Sequence, residues 1–151
     1  LTATYVKIEI PYLNSLLELG DYGAIVEAYL FLYPVRGSYS DEKPLPQSLV
    51  MFSSNEDNVT LNAISNSTGS SAQTGNLVED KMYNKDTYYS YHVTSFLNSQ
   101  LGAVGIYKRN LQLICQKDSL SQTFNTVTFG DQKFEKDRTR LIIKYLIYEN
   151  E

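Results

Sequence analysis

The sequence has no tryptophan, one histidine and one cysteine. A lone Cys115 cannot form an internal disulfide, so the cysteine content leaves the redox compartment undecided. A nucleophile–histidine triad would have a single possible base, His92, and this residue falls inside a strand pattern. A solvated or strand-end histidine is the simpler interpretation. No segment approaches the ~18 consecutive apolar residues of a membrane span.

Positive charge is also scarce, with 13 basic against 17 acidic residues and a net charge of −4. The basic residues are scattered, and a surface that follows a phosphate backbone needs them clustered, so nucleic-acid binding is not expected. Tyrosine is abundant instead, with 13 Tyr and 6 Phe, which favours sheet surfaces. A chain of 151 residues predicts one domain, residues 1–151, with a core that needs no metal or disulfide.

The apolar stretch 24–35 organises the predicted fold. It is apolar at both alternating sets of positions, which are Val26, Ala28, Leu30 and Leu32 on one side and Ile25, Tyr29, Phe31 and Tyr33 on the other. Such a strand is expected in the middle of a sheet, covered on both faces. Pro34 lacks an N–H and marks where the ladder ends.

Seven further strands follow from period-two alternation and turn residues. They are residues 3–10, 48–53, 76–80, 87–93, 110–116, 123–129 and 138–148. In the last strand the residues expected to face the core are Leu141, Ile143, Tyr145 and Ile147. Arg140 and Lys144 are expected to point away from it.

Two short helices are predicted between the strands. In residues 11–20 three leucines recur at i, i+3 and i+4 between a proline and a glycine. The second helix is residues 95–101, with Thr94 as N-cap and Gly102 as exit. A third, capped by Asn58, stays open in the long connection 54–74. Because no connection is long enough for a βαβ crossover, the sequence predicts an all-β antiparallel sandwich, jelly-roll-like, with about eight strands.

Three tracts together resemble the C-terminal region of Bacteroidota surface lipoproteins of the domain-of-unknown-function family 4270. They are Val26-Glu-Ala-Tyr-Leu-Phe-Leu-Tyr33, Thr87-Tyr-Tyr-Ser-Tyr-His-Val-Thr-Ser-Phe96 and Leu141-Ile-Ile-Lys-Tyr145. Similar patterns occur in carbohydrate-binding-module-like jelly rolls. His92 departs from the pattern, because that position usually carries an acidic residue. The resemblance implies a lipid-anchored precursor at the cell outer membrane, facing outward, of which this chain is the later part. It implies no catalytic residues.

Tyrosines outside or at the ends of the predicted strands are the candidate ligand-binding residues: Tyr22, Tyr39, Tyr83 and Tyr107. Tyrosine offers a flat amphipathic contact at low entropic cost, so a shared surface of these rings would suit a sugar ring or a partner protein. The alternative is that the rings seal the sheet edges.

Two smaller features have structural interpretations. Cys115 continues the face of Leu111 and Leu113, so a buried thiol is expected. Asn55-Glu-Asp-Asn58 offers four oxygen-bearing side chains in a row, but it lacks the spaced pattern with glycine typical of calcium loops. An Asn/Asp-rich turn is therefore predicted there, and a bound calcium ion stays an open alternative.

The preferred hypothesis for function is a non-catalytic domain of an exported surface lipoprotein that binds an extracellular glycan or an outer-membrane protein, without cofactor or metal. The second hypothesis is a structural domain that docks with the rest of its own precursor. The third is a carbohydrate hydrolase that uses two loop carboxylates across a cleft. Its candidate pairs are Asp41/Glu42, Glu56/Asp57, Glu79/Asp80 and Glu135/Asp137.

Overall fold

The computed structural model describes residues 5–19, 22–66, 69, 71–83, 85–101, 108–115 and 126–148. Within these residues the strands are β1 (Tyr5–Ile8), β2 (Tyr22–Leu32), β3 (Leu49–Ser54), β4 (Thr60–Ala63), β5 (Asn76–Val78), β6 (Tyr88–His92), β7 (Asn110–Cys115) and β8 (Arg140–Tyr148). A 3₁₀ helix, Leu13–Leu19, precedes β2, and helix α1, Thr94–Leu101, follows β6.

The strands form two four-stranded antiparallel sheets. Sheet A has the order β1-β7-β3-β4, and sheet B has the order β5-β6-β2-β8. Strands that are far apart in the sequence are neighbours in each sheet. In sheet A, β7 lies between β1 and β3, and in sheet B, β2 lies between β6 and β8. The prediction of an all-β, jelly-roll-like antiparallel sandwich with two short helices is therefore confirmed.

The core lies between the two sheets. Its largest fully buried side chains are Tyr89, Tyr91, Leu30 and Leu32 from sheet B, Leu49, Met51 and Leu111 from sheet A, and Leu97 from helix α1. The two tyrosine hydroxyls cross towards the opposite sheet. Tyr91 donates to the carbonyl of Leu49 at 2.8 Å, and Tyr89 donates to the carbonyl of Pro46 at 2.6 Å. Burial raises the pKa of both hydroxyls, so they remain neutral donors.

Strand β2 lies in the middle of sheet B, as its sequence predicts. A bulge between Ile25 and Glu27 leaves Val26 60% exposed, so Val26 does not share the buried side with Ala28. A β-bulge puts two residues opposite one and shifts the alternation by one position. Ile25 and Ala28 therefore both face the core.

Helix α1 replaces β6 beside the first half of β2. The pairing of β6 with β2 reaches only to Tyr29. Beyond that point the Thr94 hydroxyl accepts the N–H of Ala28 at 2.8 Å, and the Asn98 side-chain amide donates to the carbonyl of Ile25 at 3.0 Å. Two side chains of α1 thus satisfy backbone groups of β2 that have no neighbouring strand.

The prediction of Thr94 as N-cap is wrong, because its hydroxyl accepts the N–H of Ala28 on β2 and not an N–H of the helix. The first helical N–H, that of Leu97, donates to the carbonyl of Val93.

The first predicted helix differs in type, since residues 13–19 are a 3₁₀ helix. Side chains at i and i+3 lie above one another in a 3₁₀ helix. Leu13 and Leu16 accordingly pack on the core, whereas Leu17 is exposed.

Strand β4 occupies the long connection 54–74, where the sequence also allows a helix capped by Asn58. Asn58 does not cap a helix, because it has a φ of 63° in the turn that precedes β4. The predicted strand 123–129 lies partly outside the described residues, and Phe129 forms an isolated bridge with Pro34. Among the described residues, β4 is thus a strand that the sequence does not predict.

Cys115 is exposed, so the prediction of a buried thiol is wrong. Register places it opposite Leu49, at the last position of β7. Cys115 lies on the same side of β7 as Leu111 and Leu113, but the buried part of that side ends at Leu113.

Candidate functional site

The outer face of sheet B carries a continuous row of five half-buried rings. We call it the aromatic row, and it consists of Tyr29, Phe31, Tyr33, Tyr88 and His92. Alternation along β2 turns its aromatic residues away from the core, and register brings His92 on β6 opposite Tyr29. The sequence predicts that this side of β2 is covered by other elements. The rings are instead only half-buried, and they are covered in part by side chains of the same sheet.

The rings of the aromatic row contact one another in sequence. The centroid separations are 5.2 Å from His92 to Tyr29, 6.3 Å from Tyr29 to Phe31, 5.5 Å from Phe31 to Tyr88 and 5.8 Å from Tyr88 to Tyr33. Neighbouring planes are inclined by 39° to 72°. Edge-to-face and tilted contacts at these separations are the favoured geometries of aromatic pairs. Each ring therefore holds its neighbour in place, and the surface is formed before any ligand arrives.

A cationic group stands at one end of the aromatic row. The Arg140 guanidinium lies 5.4 Å from the ring centroid of Tyr33, a cation–π contact. Among the described residues no carboxylate forms an ion pair with Arg140. Its hydrogen-bond donors are therefore available to an acceptor that lies on the row.

An ion pair stands near the other end. Lys144 on β8 binds the Glu27 carboxylate, and the Tyr29 hydroxyl donates to the same carboxylate at 3.2 Å. The Lys144 hydrogen bond holds the pKa of the Glu27 carboxyl below its ordinary value, and the same contact raises the pKa of the Lys144 amine. Glu27 in turn raises the pKa of the Tyr29 hydroxyl. The row is thus bordered by polar groups of fixed charge.

His92 is held as a structural residue. Its Nε2 lies 3.0 Å from the Thr94 hydroxyl, and that hydroxyl already accepts the N–H of Ala28. Among the described residues no carboxylate is hydrogen-bonded to the His92 ring. Nucleophilic catalysis needs an oriented base beside an available nucleophile, and this contact does not supply that arrangement.

The four tyrosines proposed from sequence do not all reach one surface. Tyr39 is buried in the core, and its hydroxyl has no hydrogen-bond partner among the described residues. Tyr83 is 67% exposed, with the Lys85 amine 5.7 Å from its ring centroid. Tyr22 begins β2, but its side chain lies outside the described residues, as does all of Tyr107. A shared binding role for these four residues stays a prediction.

The loop that presents Tyr83 is organised by Asp80. Its carboxylate accepts the backbone N–H groups of Met82, Tyr83 and Lys85, each at 3.1 Å, and its own N–H donates to the Thr87 hydroxyl. These backbone hydrogen bonds, from Tyr83 above all, hold the pKa of the Asp80 carboxyl below its ordinary value. The exposed ring of Tyr83 therefore sits on a loop of defined shape.

We expect an NMR titration to give Asp80 a carboxyl pKa below the ordinary ~3.9 of aspartate. Since the pKa is lower in the folded than in the unfolded chain, the stabilisation is present above about 3.9 and disappears as the pH falls through the folded pKa. An Asp80→Asn variant should lose this part of the acid dependence. An ordinary pKa for Asp80 would mean that the carboxylate does not hold the loop.

Two of the other oxygen-rich positions have structural partners. The Asn55 side chain accepts the N–H of Val59 at 2.8 Å and so closes the predicted turn. Asp137 is nearly buried and binds both the backbone N–H and the guanidinium of Arg36, at 3.1 and 3.2 Å. No group of three or more His, Cys, Asp or Glu side chains in the described part of the chain could hold a metal ion.

The fold and this surface define an antiparallel β-sandwich domain with a preformed aromatic face on one sheet. No family model, curated protein or solved structure matches the chain. The resemblance to family 4270 therefore stays a prediction. Within the described residues no helix is both long enough and apolar enough to cross a membrane.

Proposed function

We propose that this chain is a non-catalytic binding domain and that the aromatic row is its recognition surface. The observation that supports this proposal is the unbroken series of ring contacts from His92 to Tyr33 on the outside of sheet B. Exposed apolar area does not stabilise the fold, so a contiguous aromatic surface that stays accessible to solvent is typical of a binding site. Four of the five rings, those of Tyr29, Phe31, Tyr88 and His92, also lie on strands, which hold side chains more rigidly than loops.

We propose an extracellular glycan as the ligand. A sugar ring has an apolar C–H face and a rim of hydroxyls, so it needs aromatic contact area and hydrogen-bonding groups side by side. The aromatic row supplies the first, while Arg140 and the Glu27–Lys144 pair supply the second. Arginine is also the side chain best suited to a carboxylate on an acidic sugar.

The resemblance to family 4270 adds a location to the proposal. We propose, on this resemblance alone, that the domain belongs to an exported lipoprotein of the outer membrane and faces outward. A surface-exposed glycan-binding domain would meet its polymer there. Cell fractionation and protease accessibility of the tagged protein in its native host would test the location separately from binding.

The binding test compares soluble polysaccharides, neutral and acidic, by affinity electrophoresis and calorimetry. Tyr88→Ala removes a central ring of the aromatic row and is expected to weaken binding about tenfold, since a ring contact contributes roughly 1–1.5 kcal/mol. Arg140→Met keeps the stem that covers Tyr33 but removes the donors. It should weaken binding to acidic polymers more than to neutral ones.

Two matched variants serve as controls. Tyr83→Ala removes the exposed loop ring, and Tyr12→Ala removes a tyrosine that is 83% exposed and lies outside both sheets, just before the 3₁₀ helix. Both should bind like the wild type if the aromatic row is the site. A loss caused by Tyr83→Ala with no loss in Tyr88→Ala would transfer the site to the loop. Failure of every polysaccharide to bind would reject the glycan.

A further inference from the structure

Strand β8 is a long edge strand, unlike the other edges of the two sheets. Sheet A ends in β1 and β4, of four residues each, and sheet B ends in β5, of three residues, whereas β8 has nine. Proteins commonly protect sheet edges with short strands, prolines, bulges or charged side chains. β8 contains no proline, the bulge in sheet B lies in β2, and the charge of the mid-strand Lys144 is paired with Glu27.

The backbone of β8 points alternately at β2 and at the open edge. Ala28 on β2 turns its N–H to Thr94 and its C=O to Val93, away from β8. Its opposite residue Ile143 therefore points its own N–H and C=O away from β2, because facing residues of an antiparallel pair exchange either both bonds or neither. Alternation extends this to the other odd-numbered residues of β8, which are Leu141, Tyr145 and Ile147. Among the described residues these backbone groups have no hydrogen-bond partner.

The side chains of β8 are accessible as well. None of its nine residues is fully buried, and Ile142 and Leu146 are 53% and 44% exposed. An edge with unsatisfied backbone groups and exposed apolar side chains is a template for one more strand.

We propose that β8 pairs with β8 of a second copy of this chain, antiparallel, so that two sheets B join into one continuous sheet. The two-fold axis passes beside Lys144. Ile143 then exchanges both backbone bonds with Tyr145 of the second copy, and Leu141 does so with Ile147. This register gives a hydrogen-bond partner to the backbone N–H and C=O groups of all four outward-facing residues. A shift in either direction would leave some of these groups without a partner in the second strand.

The side chains match in the same register. On the outer face Ile142 lies opposite Leu146 of the second copy, and Arg140 lies opposite Tyr148, which gives an apolar pair and a cation–aromatic pair. Lys144 lies opposite its own counterpart, and the Glu27 carboxylate on each copy compensates this contact. A second copy carries the complementary pattern by symmetry, and this is why we choose it over a foreign strand.

Sedimentation velocity of the full chain tests the proposal, from micromolar to near-millimolar concentration. The wild type should shift from 17.2 kDa towards twice that mass. Leu146→Lys should weaken dimerisation about tenfold or more, since it puts a charge opposite an apolar side chain. Val26→Lys is the matched control, because it adds the same charge at an exposed position of sheet B that is not on the edge. Circular dichroism checks that both variants fold.

Cross-linking tests the register. In a Cys115→Ser background, Lys144→Cys should form an intermolecular disulfide, because facing residues of a non-hydrogen-bonded pair have Cα atoms about 4.5 Å apart, within disulfide range. Ile142→Cys in the same background should not, since its opposite residue is Leu146. A wild type that stays monomeric throughout, or a dimer that Leu146→Lys leaves intact, would overturn the proposal.

Discussion

Replacing Tyr91 with alanine is expected to lower the free energy of unfolding by about 3–5 kcal/mol. The ring is 1% exposed between the sheets, and its hydroxyl donates to the carbonyl of Leu49 at 2.8 Å. It passes so close to Gly75 that a Cβ there would lie 2.5 Å from the hydroxyl oxygen. Gly75 also has a φ of 77°, which favours glycine. The substitution would leave a cavity and an unpaired carbonyl where the two sheets are joined.

Two variants separate these contributions in urea unfolding. Tyr91→Phe keeps the ring but leaves the Leu49 carbonyl without its donor, so a loss of about 1–3 kcal/mol is expected. Tyr12→Ala, at an exposed position, should change the free energy of unfolding by less than about 0.5 kcal/mol. If Tyr91→Ala cost no more than Tyr91→Phe, the ring would not be packed as the structure shows.

Replacing Gln73 with glutamate is expected to destabilise the domain by about 2–4 kcal/mol at neutral pH. The Gln73 side-chain amide pairs with the backbone of His92 at the end of β6, as the backbone of a neighbouring strand would. It accepts the N–H of His92 at 2.8 Å and donates to the His92 carbonyl at 2.6 Å and to the Ser65 carbonyl at 2.5 Å. Its own backbone pairs with Ile64 and Met51. A carboxylate at this position would face two carbonyl oxygens without a proton to donate.

The same substitution should make stability depend on pH in a defined direction. The two carbonyl oxygens disfavour the charged form, so the introduced carboxyl should have a folded pKa above the ordinary ~4.3 of glutamate. The folded chain then holds the proton more tightly, and the destabilisation should shrink as the pH is lowered towards that value. Gln132→Glu, at an exposed turn position, is the matched control and should show neither effect. A destabilisation independent of pH would contradict the proposed contact.

The two proposed surfaces lead to separate experiments. The aromatic row lies on the face of sheet B and the dimer contact lies on its edge, but Arg140 and Lys144 belong to both. Tyr88→Ala changes only the row, and Leu146→Lys changes only the edge, so these two variants test the surfaces independently. If both are correct, pairing of β8 would place two aromatic rows on one continuous sheet. A long polymer could then engage both rows, which would raise its apparent affinity above that of a single row.

Much of the fold could be predicted from local pattern. The alternation in β8 correctly separated Leu141 and Ile143 from Arg140 and Lys144, and the position of Pro34 matches the end of the β2 ladder. The candidate site could not be predicted in the same way. The outward ring positions of β2 are visible in the sequence, but whether another layer covers them depends on which elements pack outside sheet B.

The sequence by itself determined that this chain forms strands with one apolar side, joined by connections too short for helical crossovers. Periodicity is a local property, and a side chain two residues along a strand returns to the same face wherever that strand lies. Only the tertiary structure decided that Tyr39 is buried, that Val26 is exposed at a bulge and that β8 is an edge. These outcomes depend on contacts between residues far apart in the chain, and no local pattern specifies which distant strand becomes a neighbour.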